Sequence, residues 1–144
     1  MKISKVLVVY YSRTGNTEKM ARAIAEGIES AGAEAVLKSV YSVKNEDILE
    51  ADAIIAGSPT QNKRVPSKMM AFINDMKDLE LDGKIGAAFG SYGWSGEAVG
   101  ILNDELEKIG IKLADKGLRI KRTPKDKDLD RCRELGKRVA EGAS

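Results

Sequence analysis

"VLVVYYSRTGNTEKMARAI", residues 6–24, decides how this chain is read. An apolar run rich in β-branched residues stops at a polar turn, SRTGNT (residues 12–17), and a helical period starts directly behind it. Strand, short turn and helix in that order place the turn at a helix N-terminus. Such an end offers unpaired N–H groups and about half a positive charge, a natural seat for a phosphate. Gly15 lets a ligand approach the backbone closely, and Asn16 tolerates unusual backbone angles. Ser12, Thr14 and Thr17 can each donate a hydroxyl to a phosphate oxygen. A plain helix cap needs one hydroxyl and not three. The turn is not a Walker loop, because G-x-x-x-x-G-K-[ST] is missing, and G-x-G-x-x-G is missing too. A mononucleotide or a single phosphate monoester suits it better.

The same alternation continues along the chain. Strand-like runs fall at residues 3–10, 34–40, 52–57, 84–90 and 111–119. DAIIAG and KIGAAFG, the third and fourth, are apolar on both faces and end in glycine, as strands covered on two sides do. Helical periods fall at 17–31, 67–79, 97–109 and 127–141. Regular alternation predicts an α/β fold: a doubly wound, five-stranded parallel sheet of order 2-1-3-4-5, with helices on both faces in three layers. With no linker or repeat, residues 1–144 read as a single domain. Ligands of such sheets bind beyond the strands' carboxyl ends, where the strand order reverses. Here that means the loops after strands one and three, joined by the loop after strand four.

Those other two loops are unusual as well. SPTQNKRVP, residues 58–66, can present Thr60, Gln61 and Asn62 to the edge of a flat heterocycle, with Pro59 fixing the exit path. GSYGWSG, residues 90–96, places Tyr92 and the only tryptophan, Trp94, among three glycines. An aromatic pair on a glycine-rich turn makes a stacking wall for a ring, and the glycines bring N–H groups to its edge. A phosphate seat, a polar edge and an aromatic wall match the three parts of flavin mononucleotide (FMN).

Composition narrows the chemistry. The 144 residues carry no histidine and one cysteine, Cys132, with a formal net charge of +2. Absent histidine excludes His-based triads and His-bearing zinc sites; a single cysteine excludes an intramolecular disulfide and a cysteine-ligated cluster. Balanced charge argues against nucleic-acid binding, and no apolar run is long enough to cross a bilayer. The basic stretch GLRIKRTPKDK, residues 117–127, reads as a solvated edge. Without a leader-like start, a cytoplasmic protein is expected.

SRTGNT resembles the [ST]-x-T-G-x-T phosphate loop of flavodoxins. SPTQN and, above all, AAFGSYGWSGEAV are similar to the flavodoxin-type domain of flavodiiron proteins, the A-type flavoproteins. The resemblance covers nearly the whole chain. It implies a flavodoxin-like fold and FMN as cofactor, with no metal. By the same resemblance, Ser12, Arg13, Thr14, Gly15, Asn16 and Thr17 surround the phosphate. Pro59, Thr60, Gln61 and Asn62 border the isoalloxazine, and Ser91, Tyr92, Gly93, Trp94, Ser95 and Gly96 cover its other side. The function implied is a free-standing short-chain flavodoxin that shuttles one or two electrons between redox partner proteins. No side chain then needs a catalytic role. An FMN-dependent NAD(P)H:quinone reductase of the same fold is the rival; it would need longer loops or a dimer to build a second substrate pocket.

Three features depart from the family. The di-iron domain of flavodiiron proteins has no counterpart in these residues. The chain is weakly basic where flavodoxins are typically acidic, with Arg13, Lys63 and Arg64 near the expected cofactor. No glycine occurs between Ser58 and Pro66, where many flavodoxins carry one.

Overall fold

Short β-branched runs and amphipathic helices alternate in the computed structural model, which describes residues 4–143. Ile3, assigned above to the first strand, lies outside them. The elements run β1 (Lys5–Tyr10), α1 (Asn16–Ser30), β2 (Glu34–Ser39), α2 (Asn45–Glu50), β3 (Ala53–Gly57) and α3 (Ser67–Met76), followed by β4 (Ile85–Tyr92), α4 (Glu97–Ile109), β5 (Lys112–Leu113), β6 (Leu118–Lys121) and α5 (Asp126–Ala143). All pairings between these strands are parallel, in the order β2-β1-β3-β4-β5, with β6 also on β4. The expected order holds.

Strand alternation sends the central strands' side chains to two separate cores. Val6, Val8, Ala53, Ile55, Ala87 and Phe89 face α1 and α5; Leu7, Val9, Ile54, Ala56 and Ala88 face α2, α3 and α4. Met69 and Met76 are fully buried in the second core and Met70 packs at its edge, as gap-filling residues do. The fifth strand splits in two. β5 pairs with the start of β4 (Ile85, Gly86), and β6 pairs with its end (Phe89 to Tyr92). Between them the Asp115 carboxylate accepts the Gly117 N–H at 2.9 Å, and Gly117 takes φ 98. That turn breaks the ladder, so the expected strand at 111–119 becomes two short ones.

Cys132 lies in the first core beside Leu135 and Val139. Burial pushes its thiol from 9.0 up to about 12, with Asp128 adding to the rise. The folded thiol is therefore expected to resist alkylation near pH 8 and to react once the chain is unfolded. Between pH 9.0 and about 12 the unfolded chain gives up a proton that the folded chain keeps. This group consequently lowers stability as pH rises through that window, which alkylation kinetics and denaturant melts at two pH values would check.

Candidate functional site

The carboxyl ends of β1, β3 and β4 meet in register: Tyr10 lies beside Gly57, and Gly57 beside Phe89. After β1 the chain turns through Ser12, whose Oγ accepts the N–H groups of Gly15 and Glu18 at 3.1 and 3.2 Å. Ser12 thus closes the helix entry and keeps its own proton to donate. Gly15 caps α1 with φ 94, and a Cβ there would meet nothing within 4 Å. Only glycine takes this conformation freely, and the space beyond it is open. Among the described residues the N–H groups of Thr14, Asn16 and Thr17 have no acceptor. These three donors lie at or beside the positive end of a 15-residue helix.

Thr17 is the first helix residue to turn fully inward. Its Oγ1 lies 2.8 Å from the Ser91 Oγ at the end of β4, and the two residues are 1% and 5% exposed. The pair holds two protons, and their shared bond uses one. The other has no acceptor among the described residues. Thr17 is not the helix cap, a position that Gly15 holds.

The second loop is pinned from both sides. Thr60 N–H donates to the Ser91 carbonyl at 3.1 Å, and the Thr60 hydroxyl accepts the Ala98 N–H at 3.0 Å. Thr60 therefore ties β4 to the start of α4. Gln61 and Arg64 exchange two backbone hydrogen bonds of 3.0 and 2.9 Å around Asn62 and Lys63, at φ 51 and 62. This is a tight two-residue turn of the kind that favours Asn-Gly, made here without glycine.

In the third loop β4 runs on to Tyr92, two residues beyond the expected strand, so Ser91 and Tyr92 stand on the sheet and not on a turn. Trp94 is 90% exposed and is not folded back onto the core. The Ser95 hydroxyl, hydrogen-bonded to Glu97, holds that carboxyl below its usual range. Arg119 Nε donates to the Gly96 carbonyl at 2.8 Å and fixes the loop's far end.

A crevice of about 480 Å³ opens between the three loops. Of the expected residues, Arg13, Thr14, Asn16, Pro59, Thr60, Gln61, Ser91, Tyr92 and Gly93 line it. Ser12, Gly15, Thr17, Asn62, Trp94, Ser95 and Gly96 are not among its lining residues. Arg64 borders a separate hollow with Gln61 and Asn62. Arg122 lines the crevice and was not expected there. Its N–H donates to the Tyr92 carbonyl at 2.6 Å from left-handed backbone, φ 62. The signal lay in LRIK, residues 118–121, whose alternating pattern carries a strand past Arg119. Among the described residues no cluster could hold a metal ion, and no helix is long and apolar enough to cross a membrane.

Fold and crevice define a doubly wound α/β protein with an open crevice at the strand-order switch, where sheets of this class bind ligands. The sequence profile of the family named Flavodoxin matches residues 8–136, and the chain belongs to that family. It is 39% identical over 160 residues to a flavodoxin of Aquifex aeolicus, covering 96% of this chain and 86% of that one. It is 37% identical over 142 residues to a nitric oxide reductase of Moorella thermoacetica, covering 95% of this chain but 36% of that protein. Against this and a type A flavoprotein of Rhodobacter capsulatus (36% identical, 32% of its length), the chain spans about a third of the relative. Among solved structures, a flavodoxin from the domain Archaea superposes with a TM-score of 0.93 at 42% identity, covering 96% of this chain and 98% of that one. FMN is the cofactor of the family.

Proposed function

We propose that this chain binds FMN in the crevice and carries electrons between partner proteins, as one cytoplasmic domain spanning residues 1–144. The observation that carries the reading is the buried Thr17–Ser91 hydroxyl pair with its unspent proton, beside three unpartnered N–H groups. A dianionic phosphate can take these donors without a buried salt bridge, and Arg13 at the rim adds a positive charge. Bound FMN supplies the one- and two-electron chemistry; the protein binds it, orients it and tunes it.

Each residue then has a role set by its place. Thr14, Asn16 and Thr17 give N–H groups, and Ser12, Thr14 and the Thr17–Ser91 pair give hydroxyls. Gly15 leaves the approach clear. Pro59, Thr60 and Gln61 border the polar edge of the ring system, with Asn62 on the turn beyond them. Tyr92 is the stacking wall, because it lines the crevice, and Gly93 leaves space beside it. Trp94, Ser95 and Gly96 form the outer rim, with Trp94 exposed at the mouth.

Calorimetry with FMN and with riboflavin tests the reading. FMN is expected to bind one to one, riboflavin far more weakly, and Trp94 fluorescence to fall with FMN and return when it is stripped. Saturating FMN that gives neither heat nor quenching would overturn it. For a carrier, turnover with NAD(P)H and a quinone is expected to need an added reductase.

A further inference from the structure

A second hollow of about 630 Å³ adjoins the crevice, sharing Tyr92 and Arg122 with it. Its charged lining is Arg119, Lys121, Arg122, Lys125 and Arg131, against one carboxylate, Asp128. That carboxylate is already engaged, because Asp128 Oδ2 accepts the Lys125 N–H at 2.9 Å. Among the described residues none of the five cations forms an ion pair. All five are exposed. The groove holds an excess of four positive charges (five cations less one carboxylate). The whole chain has a formal excess of only two, so the rest of the molecule is net negative. Positive charge is concentrated on a face that opens onto the crevice.

We propose that this groove, between β6 and the start of α5, is the docking face for an acidic electron-transfer protein. The inference rests on the FMN reading, which puts a redox group behind Tyr92. A partner whose acidic rim surrounds its own redox centre would be steered onto the groove and set down beside the crevice. Arg122 marks the boundary, its backbone fixed by the bond to Tyr92. The groove's cations are spread around an open hollow and not strung along one helix, which suits a protein rim better than a nucleic-acid backbone.

The test uses the FMN-loaded protein with a strongly acidic two-iron ferredoxin as probe, and basic cytochrome c and a short DNA duplex as comparators. Amide chemical shifts and calorimetry report docking without any electron transfer, and FMN affinity is titrated separately. A failure to dock is therefore distinct from a failure to bind FMN. Ferredoxin is expected to bind one to one, with its largest shifts at residues 119–131. Raising salt from about 20 to about 200 mM should weaken it about tenfold. The triple variant K121E/K125E/R131E, none of whose residues lines the crevice, should weaken it about thirtyfold with melting temperature and FMN affinity unchanged. Unchanged ferredoxin affinity in that variant, shifts centred on another face, or tighter binding of cytochrome c or the duplex would each overturn the proposal. Should the triple variant fail to fold, K121Q/K125Q takes its place, with a weakening of about threefold expected and none overturning.

Discussion

Thr17→Val is expected to weaken FMN binding about 100-fold while the apoprotein keeps its fold. The side chain is nearly isosteric, so the first turn of α1 has no reason to move. What disappears is one hydroxyl of the buried pair with Ser91. In the apoprotein that costs about 1 kcal/mol, the worth of an ordinary internal hydrogen bond. On the proposed reading Ser91 would donate to Thr17 and the Thr17 hydroxyl to a phosphate oxygen, and a bond to a charged acceptor is worth about 1.5–3 kcal/mol. A 100-fold loss corresponds to about 2.7 kcal/mol, within that range. Thr17→Ser keeps the hydroxyl and should hold affinity within about threefold. The distinction matters because a merely structural Thr17 would move stability and affinity together. Calorimetry beside a urea melt separates the two. An affinity for Thr17→Val close to that of the unaltered chain would take this hydroxyl out of the phosphate seat.

The candidate phosphate loop, ahead of α1, was legible because its parts are consecutive. SRTGNT stands between an apolar run and a helical period, so a few adjacent residues carry both the strand end and the helix start. The sheet order was legible for a similar reason: each strand is one apolar run, and alternation with helices leaves few ways to wind it. What stayed hidden depends on contacts between distant residues. Arg122 enters the crevice only because β6 pairs with the end of β4, Lys121 opposite Tyr92. Nothing within residues 117–127 states that pairing, so the stretch read as a solvated edge. Tyr92 and Trp94 looked equivalent on paper. Strand β4 holds the first against the crevice, whereas the second sits beyond it on a turn with nothing to pack on. Helix α2 escaped notice because six residues with Ile48 as their only buried side chain show no helical period. Its start relies on the Lys44 N–H donating to Asp47 at 2.9 Å, a signal too short to outweigh the polar run around it.

Gly136→Val is expected to cost about 3 kcal/mol or more of stability, the largest effect foreseen outside the crevice. Helices α1 and α5 lie side by side on one face of the sheet, and two glycines let their backbones approach. A Cβ on Gly136 would come 2.2 Å from the Ile24 carbonyl oxygen, and one on Gly27 would come 2.0 Å from that of Arg133. Both obstacles are backbone and cannot swing aside as a side-chain tip could. The helices must separate, which opens the core around Met20, Ile24, Cys132 and Leu135. Overpacking of this kind costs about 1–3 kcal/mol, and the loosened core adds to it. Gly100→Ala in α4 is the contrasting case. There a Cβ meets only the Arg119 guanidinium at 3.4 Å, and a helix interior prefers alanine to glycine by about 1 kcal/mol. That variant should gain stability in the same urea melts. Equal losses at the two positions would mean that the glycines of the α1–α5 seam do not set how closely those helices pack. Because α1 also carries the donors proposed to hold the phosphate, Gly136→Val should weaken FMN binding in proportion to how far it displaces that helix. Gly100→Ala should leave binding unchanged.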